Sequence, residues 1–197
     1  MDNPEQSTQP IRLIGSNILK IDLPVFHKDK VETHNLMDYS GKWLVLFFYP
    51  ADFTFICPTE LEELAGMYDD FTKIGAEILS VSTDKAYTHK AWHDSSPAIS
   101  KVKFPMAADP TAQLSKSLGV YDEENGVALR ATFIINPEGV IKSYMVNGDE
   151  IGRSAKELHR LLVAAQFVSK NNGKVCPASW EEGDDTLTPG VDLVGKI

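Results

Sequence analysis

Three features of the 197-residue sequence predict an α/β fold with a central mixed sheet flanked by helices. Strand-like and helix-like stretches alternate from Trp43 to Gly119, the order that lays parallel strands side by side. Two further strand-like runs, residues 129–135 and 140–146, are joined by Asn136-Pro137-Glu138-Gly139, a hairpin turn. A long amphipathic helix closes the order, with Leu158, Leu161, Leu162, Ala165 and Val168 on one face.

The elements follow in sequence. Residues 1–10 are polar and read as a flexible N-terminal tail. Residues 11–41 carry short apolar touches (Val25-Phe26, Val31, Leu36-Met37) that fit short strands or a hairpin. Trp43-Leu44-Val45-Leu46-Phe47-Phe48 is aromatic and β-branched, a buried strand. Pro58-Thr59-Glu60-Leu61 opens a helix, with proline at the first helical position and Glu60, Glu62 and Glu63 at the positive end of the dipole. Leu61, Leu64, Ala65 and Tyr68 give that helix one apolar face, down to about Phe71. Gly75 turns the chain into a strand over residues 76–82. Thr83-Asp84 caps a helix to about His93. Residues 104–108 form a short strand, and Asp109-Pro110 opens a helix ending near Gly119. Ser154-Ala155-Lys156-Glu157 has the spacing of a capping box for the last helix, which Asn171-Asn172-Gly173 ends. Residues 174–197 are acidic and loop-like, marked by Cys176, Trp180 and Val194.

Composition narrows the function. Hydrophobic content of 43% and charged content of 24% fit one soluble globular domain. A net charge of −9 argues against general binding of nucleic acid and against anionic membranes. The apolar run ending at Tyr49 is too short to cross a bilayer. The N-terminal residues lack a basic and then apolar leader pattern, so the expected location is cytoplasmic. Two cysteines are too few for a disulfide scaffold.

Chemistry concentrates around Cys57. A free thiol titrates near 8.5, so few thiols are ionised at neutral pH, and the N-terminus of a helix favours the anion. Position alone leaves an inert buried cysteine as an equal alternative. Arg130 lies in an apolar strand and shares a face with Thr132, opposite Leu129, Ala131, Phe133 and Ile135. It reads either as an edge residue reaching water or as a fixed charge beside the thiol. The Thr54 hydroxyl, three residues before Cys57, can donate or accept, though a threonine in a loop commonly serves only the turn. His89 and His93 are four apart on a helix, but no third ligand and no adjacent glutamate accompany them, so a solvated helix face is expected and no metal. No C-x-x-C, P-loop, G-x-S-x-G or G-x-G-x-x-G is present.

Taken together, Pro50-x-x-x-Thr54-x-x-Cys57-Pro58-Thr59-Glu60 resembles the active-site signature of the peroxiredoxins. Lys174-Val175-Cys176-Pro177-Ala178-Ser179-Trp180 resembles the second cysteine motif of the typical 2-Cys group, and Val191-Asp192-Leu193-Val194-Gly195-Lys196-Ile197 resembles the ending of its bacterial alkyl hydroperoxide reductase C branch. The likeness runs from about Ile11 to the end. It implies a thioredoxin-like fold over residues 11–173 and a C-terminal tail, residues 174–197, carrying the resolving cysteine. It implies a thiol peroxidase acting on hydrogen peroxide and organic hydroperoxides, with Cys57 the peroxidatic cysteine and Cys176 the resolving one. Pro50 shields the thiolate, Thr54 and Arg130 hold thiolate and peroxide, and Glu60 with Arg153 steadies Arg130. It further implies a disulfide to the partner chain, a dithiol or flavoprotein reductant (a dedicated flavoprotein or the thioredoxin system), homodimers assembled into a ring of ten, and no metal or other cofactor. The residues themselves leave pairing within a chain or between chains open. A holdase, and a thiol–disulfide oxidoreductase acting on proteins, are the alternatives. Residues 94–101 lack the Gly-Gly-Leu-Gly insertion, and the ending lacks the Tyr-Phe, of the family's peroxide-sensitive members.

Overall fold

The structure, a computed structural model, describes residues 13–197. The expected tail at residues 1–10, and the start of the likeness at Ile11, lie outside the described residues. β1 (Asp22–His27) and β2 (Lys30–Asn35) form a hairpin. Its two-residue turn, Lys28-Asp29, takes positive φ at both positions, the twist that suits a tight hairpin. β3 (Trp43–Phe48) is buried throughout. Then follow α1 (Cys57–Lys73), β4 (Ala76–Ser82), α2 (Ala86–Ser95), β5 (Met106–Ala108), α3 (Gln113–Ser117), the small hairpin β6 (Tyr121–Asp122) and β7 (Val127–Ala128), β8 (Arg130–Ile135), β9 (Ile141–Asn147) and α4 (Ala155–Lys170).

Seven strands form one sheet in the order β2-β1-β5-β4-β3-β8-β9. β3, β4 and β5 are parallel, and the flanking pairs are antiparallel. Alternation along β3 divides the core in two. Trp43, Val45 and Phe47 meet Leu61, Leu64 and Phe71 of α1 and Leu158 and Leu162 of α4. Leu44, Leu46 and Phe48 meet Leu114 and Leu118 on the other face. This is the mixed, helix-flanked sheet of the thioredoxin-like class.

Several helix starts differ from expectation. α1 begins at Cys57 itself, with Pro58 one position inside, where its missing N–H is still free of cost. α2 begins at Ala86, two residues past Asp84, and its N-cap, Lys85, makes no side-chain bond. The Asp84 carboxylate accepts instead from the Asp52 N–H and the Ser82 hydroxyl. Asp109 does not start a helix. Its carboxylate accepts from the N–H groups of Leu114 and Ser115, capping α3 from a distance. The capping box at Ser154 does not form, because Glu63 of α1 accepts from the Ala155 N–H, and Glu157 turns to Arg160.

Candidate active site

β3 delivers the chain to Tyr49-Pro50, and residues 49–56 connect it to α1, which starts at Cys57. The thiol is completely buried. Arg130, the first residue of β8, reaches it across the sheet: Nη1 donates to Cys57 Sγ at 3.3 Å. Both side chains belong to the face shared with α1 and α4, as the alternation Arg130, Thr132, Ile134 requires.

The guanidinium is held on three sides. Nη1 also donates to Glu60 Oε2 at 3.0 Å, Nε donates to the Asp149 carbonyl at 2.7 Å, and Nη2 pairs with Asp149 Oδ1 at 3.0 Å. Glu60 sits one turn into α1, on the same face as Cys57, and is itself buried. Its four acceptor sites are filled: the Arg153 N–H and Nε donate to Oε1, and Arg153 Nη2 and Arg130 Nη1 donate to Oε2. Arg153 continues to the Ala131 carbonyl and the Thr132 hydroxyl, and its Cζ lies 3.5 Å from the Phe47 ring centre.

Burial works against the Arg130 charge, but the hydrogen bond and charge of Cys57, with Glu60 and Asp149, hold the guanidinium above its usual range. Burial draws Arg153 down, and Glu60 opposes it. Neither guanidinium loses its proton in practice. Two buried guanidiniums thus face the one buried carboxylate of Glu60, with the exposed Asp149 carboxylate at the outer side of Arg130.

A cavity of about 80 Å³ opens on the far side of Arg130, lined by Pro50, Leu129, Asn147 and Asp149 among others. Arg130 has five N–H donors. Its hydrogen bonds to Cys57, Glu60 and the Asp149 carbonyl use three, and Nη2 meets the Asp149 carboxylate as an ion pair. The Thr54 hydroxyl donates to the Ala51 carbonyl at 2.9 Å rather than to the thiol, so its lone pairs remain to accept. Cys176 is free, as is Cys57, and lies in the segment beyond α4. Burial pushes its thiol up, with Arg160 opposing.

Two features escaped the sequence reading. Asp149, in the exposed loop after β9, meets Arg130 through both its carbonyl and its carboxylate. His89, expected on a solvated face, is fully buried. Its Nδ1 lies 2.7 Å from Asp52 Oδ2, its Nε2 lies 3.1 Å from the Ala107 carbonyl, and the Tyr49 hydroxyl donates to Asp52 Oδ1. Helix spacing could not reveal this, because the partner that makes burial tolerable comes from the active-site segment 37 residues earlier. His93 is partly buried, with Nε2 3.2 Å from the Val102 carbonyl.

Comparisons with known proteins agree with this geometry. The AhpC/TSA family model matches residues 14–144, and a model described as the C-terminal domain of 1-Cys peroxiredoxin matches residues 164–195. Alkyl hydroperoxide reductase C of Staphylococcus aureus is 49% identical over 187 residues, 94% of this chain and 99% of that protein. Among solved structures, AhpC of Enterococcus faecalis superposes with a TM-score of 0.83 at 46% identity, covering 85% of this chain and all of its own. The reduced 2-Cys peroxiredoxin of Plasmodium vivax superposes with a TM-score of 0.87 at 34% identity, covering 91% of this chain and 95% of its own. A thioredoxin-like fold with a buried thiol against a guanidinium defines a thiol-dependent hydroperoxide reductase. The chain belongs to the AhpC/TSA family, the peroxiredoxins.

Proposed function

We propose that Cys57 is the thiol that attacks the peroxide. The observation that carries this reading is the 3.3 Å contact from Arg130 Nη1 to a fully buried Cys57 Sγ. The thiolate sulfur attacks the terminal peroxide oxygen. The S–O bond forms as the O–O bond breaks, Cys57 becomes a sulfenic acid, and the departing oxygen leaves as water or an alcohol after taking a proton. The Arg130 guanidinium, whose Nη1 touches Cys57 Sγ, takes the developing negative charge on the peroxide oxygens. Thr54 accepts the peroxide O–H. Glu60, Arg153 and Asp149 touch no substrate; they hold the guanidinium to one orientation in advance, which is where such dipoles gain over water.

Cys176 then attacks the sulfenic sulfur, the S–O bond breaks, and the product is a disulfide and water. We assign this to Cys176 of the partner chain in a homodimer, the dimers forming a ring of ten. An external dithiol or flavoprotein regenerates both thiols by exchange. The reading places the chain in the cytoplasm, with residues 11–173 as the peroxidase domain and 174–197 as the tail that supplies Cys176. The test is Cys57→Ser, whose hydroxyl is not ionised at neutral pH. Peroxide consumption by the purified variant is expected to fall to the uncatalysed level with circular dichroism unchanged; appreciable turnover would assign the attack elsewhere.

A further inference from the structure

The segment that carries Cys176 is a closed loop. Val175 and Leu187 exchange backbone hydrogen bonds at 2.9 and 3.1 Å, and Lys174 Nζ donates to Thr188 Oγ1 at 2.8 Å. Inside the loop the Trp180 N–H of the indole donates to the Asp184 carbonyl, and the Glu181 N–H donates to Asp184 Oδ2. Most of the loop is exposed, but Trp180 is only 2% exposed, its ring centre 4.9 Å from that of Phe167 on α4. At this point α4 also grips the backbone. Arg160 Nη1 donates to the Trp180 carbonyl at 3.0 Å, while its Nε and Nη2 pair with both oxygens of Glu157, at 2.8 Å each. Glu157 thus fixes the fork of Arg160 toward the loop, four residues past Cys176.

We propose that Arg160 is a positioning residue for the resolving step: with Glu157 it latches the Cys176 loop to α4, and release of this latch sets how quickly Cys176 reaches the sulfenic acid. The proposal rests on the reading of Cys176 as the resolving thiol. α1 and α4 lie side by side with their N-terminal ends together, since the Ala155 N–H meets Glu63 and the Gln166 amide meets the Ile74 carbonyl. Cys57 stands at that end, and the Phe167 seat of Trp180 lies toward the other. The loop must leave its seat before Cys176 is free to travel. Since Val175 and Leu187 close the loop on itself, it can lift as a unit, losing the Phe167 ring contact and the Arg160 bond together. A hydrogen bond from a charged donor, once removed, raises the open population roughly tenfold.

The test uses the full-length reduced protein. Arg160→Met keeps the apolar stem and removes the fork; Arg160→Lys keeps the charge and a donor group but not the planar, bidentate grip. After one equivalent of peroxide, quenched samples give the rate of Cys57–Cys176 disulfide formation, and the Cys176→Ser background gives the rate of peroxide attack alone. The attack rate is expected to stay at the wild-type value in both variants. Disulfide formation is expected to accelerate roughly tenfold in Arg160→Met and less in Arg160→Lys, with amide exchange across residues 175–187 faster in the same order. A wild-type disulfide whose rate Arg160→Met leaves unchanged or lowers overturns the latch alone. Wild-type protein that forms no such disulfide sinks the reading of Cys176 and the latch with it.

Discussion

Arg130 has three calls on its charge, and they differ in kind. Glu60 and Asp149 fix where the fork points, whereas the Cys57 contact changes during the reaction. Arg130→Gln removes the buried charge that offsets a thiolate while keeping a planar donor. Peroxide attack is expected to slow by about a hundredfold or more, the usual cost of losing one oriented donor for developing charge. Thiolate absorbance at neutral pH is expected to fall with it. Arg130→Lys keeps the charge but not the geometry that reaches sulfur, carboxylate and carbonyl together, so only part of the rate returns. Unchanged rapid-mixing kinetics in Arg130→Gln would detach the guanidinium from catalysis. Glu60 makes the complementary case. Glu60→Gln leaves Arg153 buried without its carboxylate and Arg130 with only the exposed Asp149, and breaking a buried pair in this way destabilises by about 3 kcal/mol. Urea melts should show that loss, and a midpoint equal to wild type would mean the network relaxes to water.

At the scale of elements, the active-site segment is fastened at several points that a linear reading meets as unrelated residues. α1 was legible because it buries a periodic apolar face, and β3 and β4 because each is a short apolar run, and both signals are local. The β8–β9 hairpin was legible from its turn, and the same alternation put Arg130 on the face where α1 packs. What escaped depends on partners far away in sequence: Glu63 displaces the Ser154 cap, Asp109 caps α3 from outside it, and Asp52 makes a buried His89 possible. Burial raises the Asp52 carboxyl, and the hydrogen bonds to His89 and Tyr49 oppose it. His89→Leu leaves Asp52 and the Tyr49 hydroxyl with one partner fewer inside the core. A loss of about 3 kcal/mol in chemical denaturation is expected, with faster proteolysis between residues 49 and 56. Equal stability would mean that Asp52 turns to another donor. The same segment bears on peroxide tolerance. α2 ends at Ser95 and a short 3-10 turn follows at Ile99–Lys101, with no Gly-Gly-Leu-Gly insertion to hold the Cys57 segment closed. Resolution by Cys176 is therefore expected to outrun a second oxidation, and mass spectrometry after near-stoichiometric peroxide should find disulfide rather than sulfinic acid.

At the scale of the molecule the question is which Cys176 meets which Cys57. A disulfide needs the two Cα atoms within roughly 7 Å. α1 has 17 residues, and a helix of that length runs about 25 Å. Cys57 is its first residue, and the Phe167 ring under Trp180 lies toward its far end, beside the Gln166–Ile74 contact. Lifting the loop does not by itself carry Cys176 back along that length. A two-fold dimer changes the geometry: the loop of one chain needs only to fall near the α1 start of the other, and symmetry makes the contact twice. The opening costs then fall on the two ends. Unwinding the first turn at Cys57 costs a few kcal/mol because it is packed, while the exposed loop opens more cheaply once Trp180 is released. Oxidised protein on a non-reducing denaturing gel is expected to run near twice its 21.8 kDa chain mass and to return to monomer with dithiothreitol. Cys57→Ser and Cys176→Ser should each stay monomeric, and a mixture of the two should give dimers held by a single disulfide. Oxidised protein that migrates only as monomer, with the 57–176 disulfide confirmed by peptide mapping, would place the bond within one chain and leave the peroxide chemistry at Cys57 untouched.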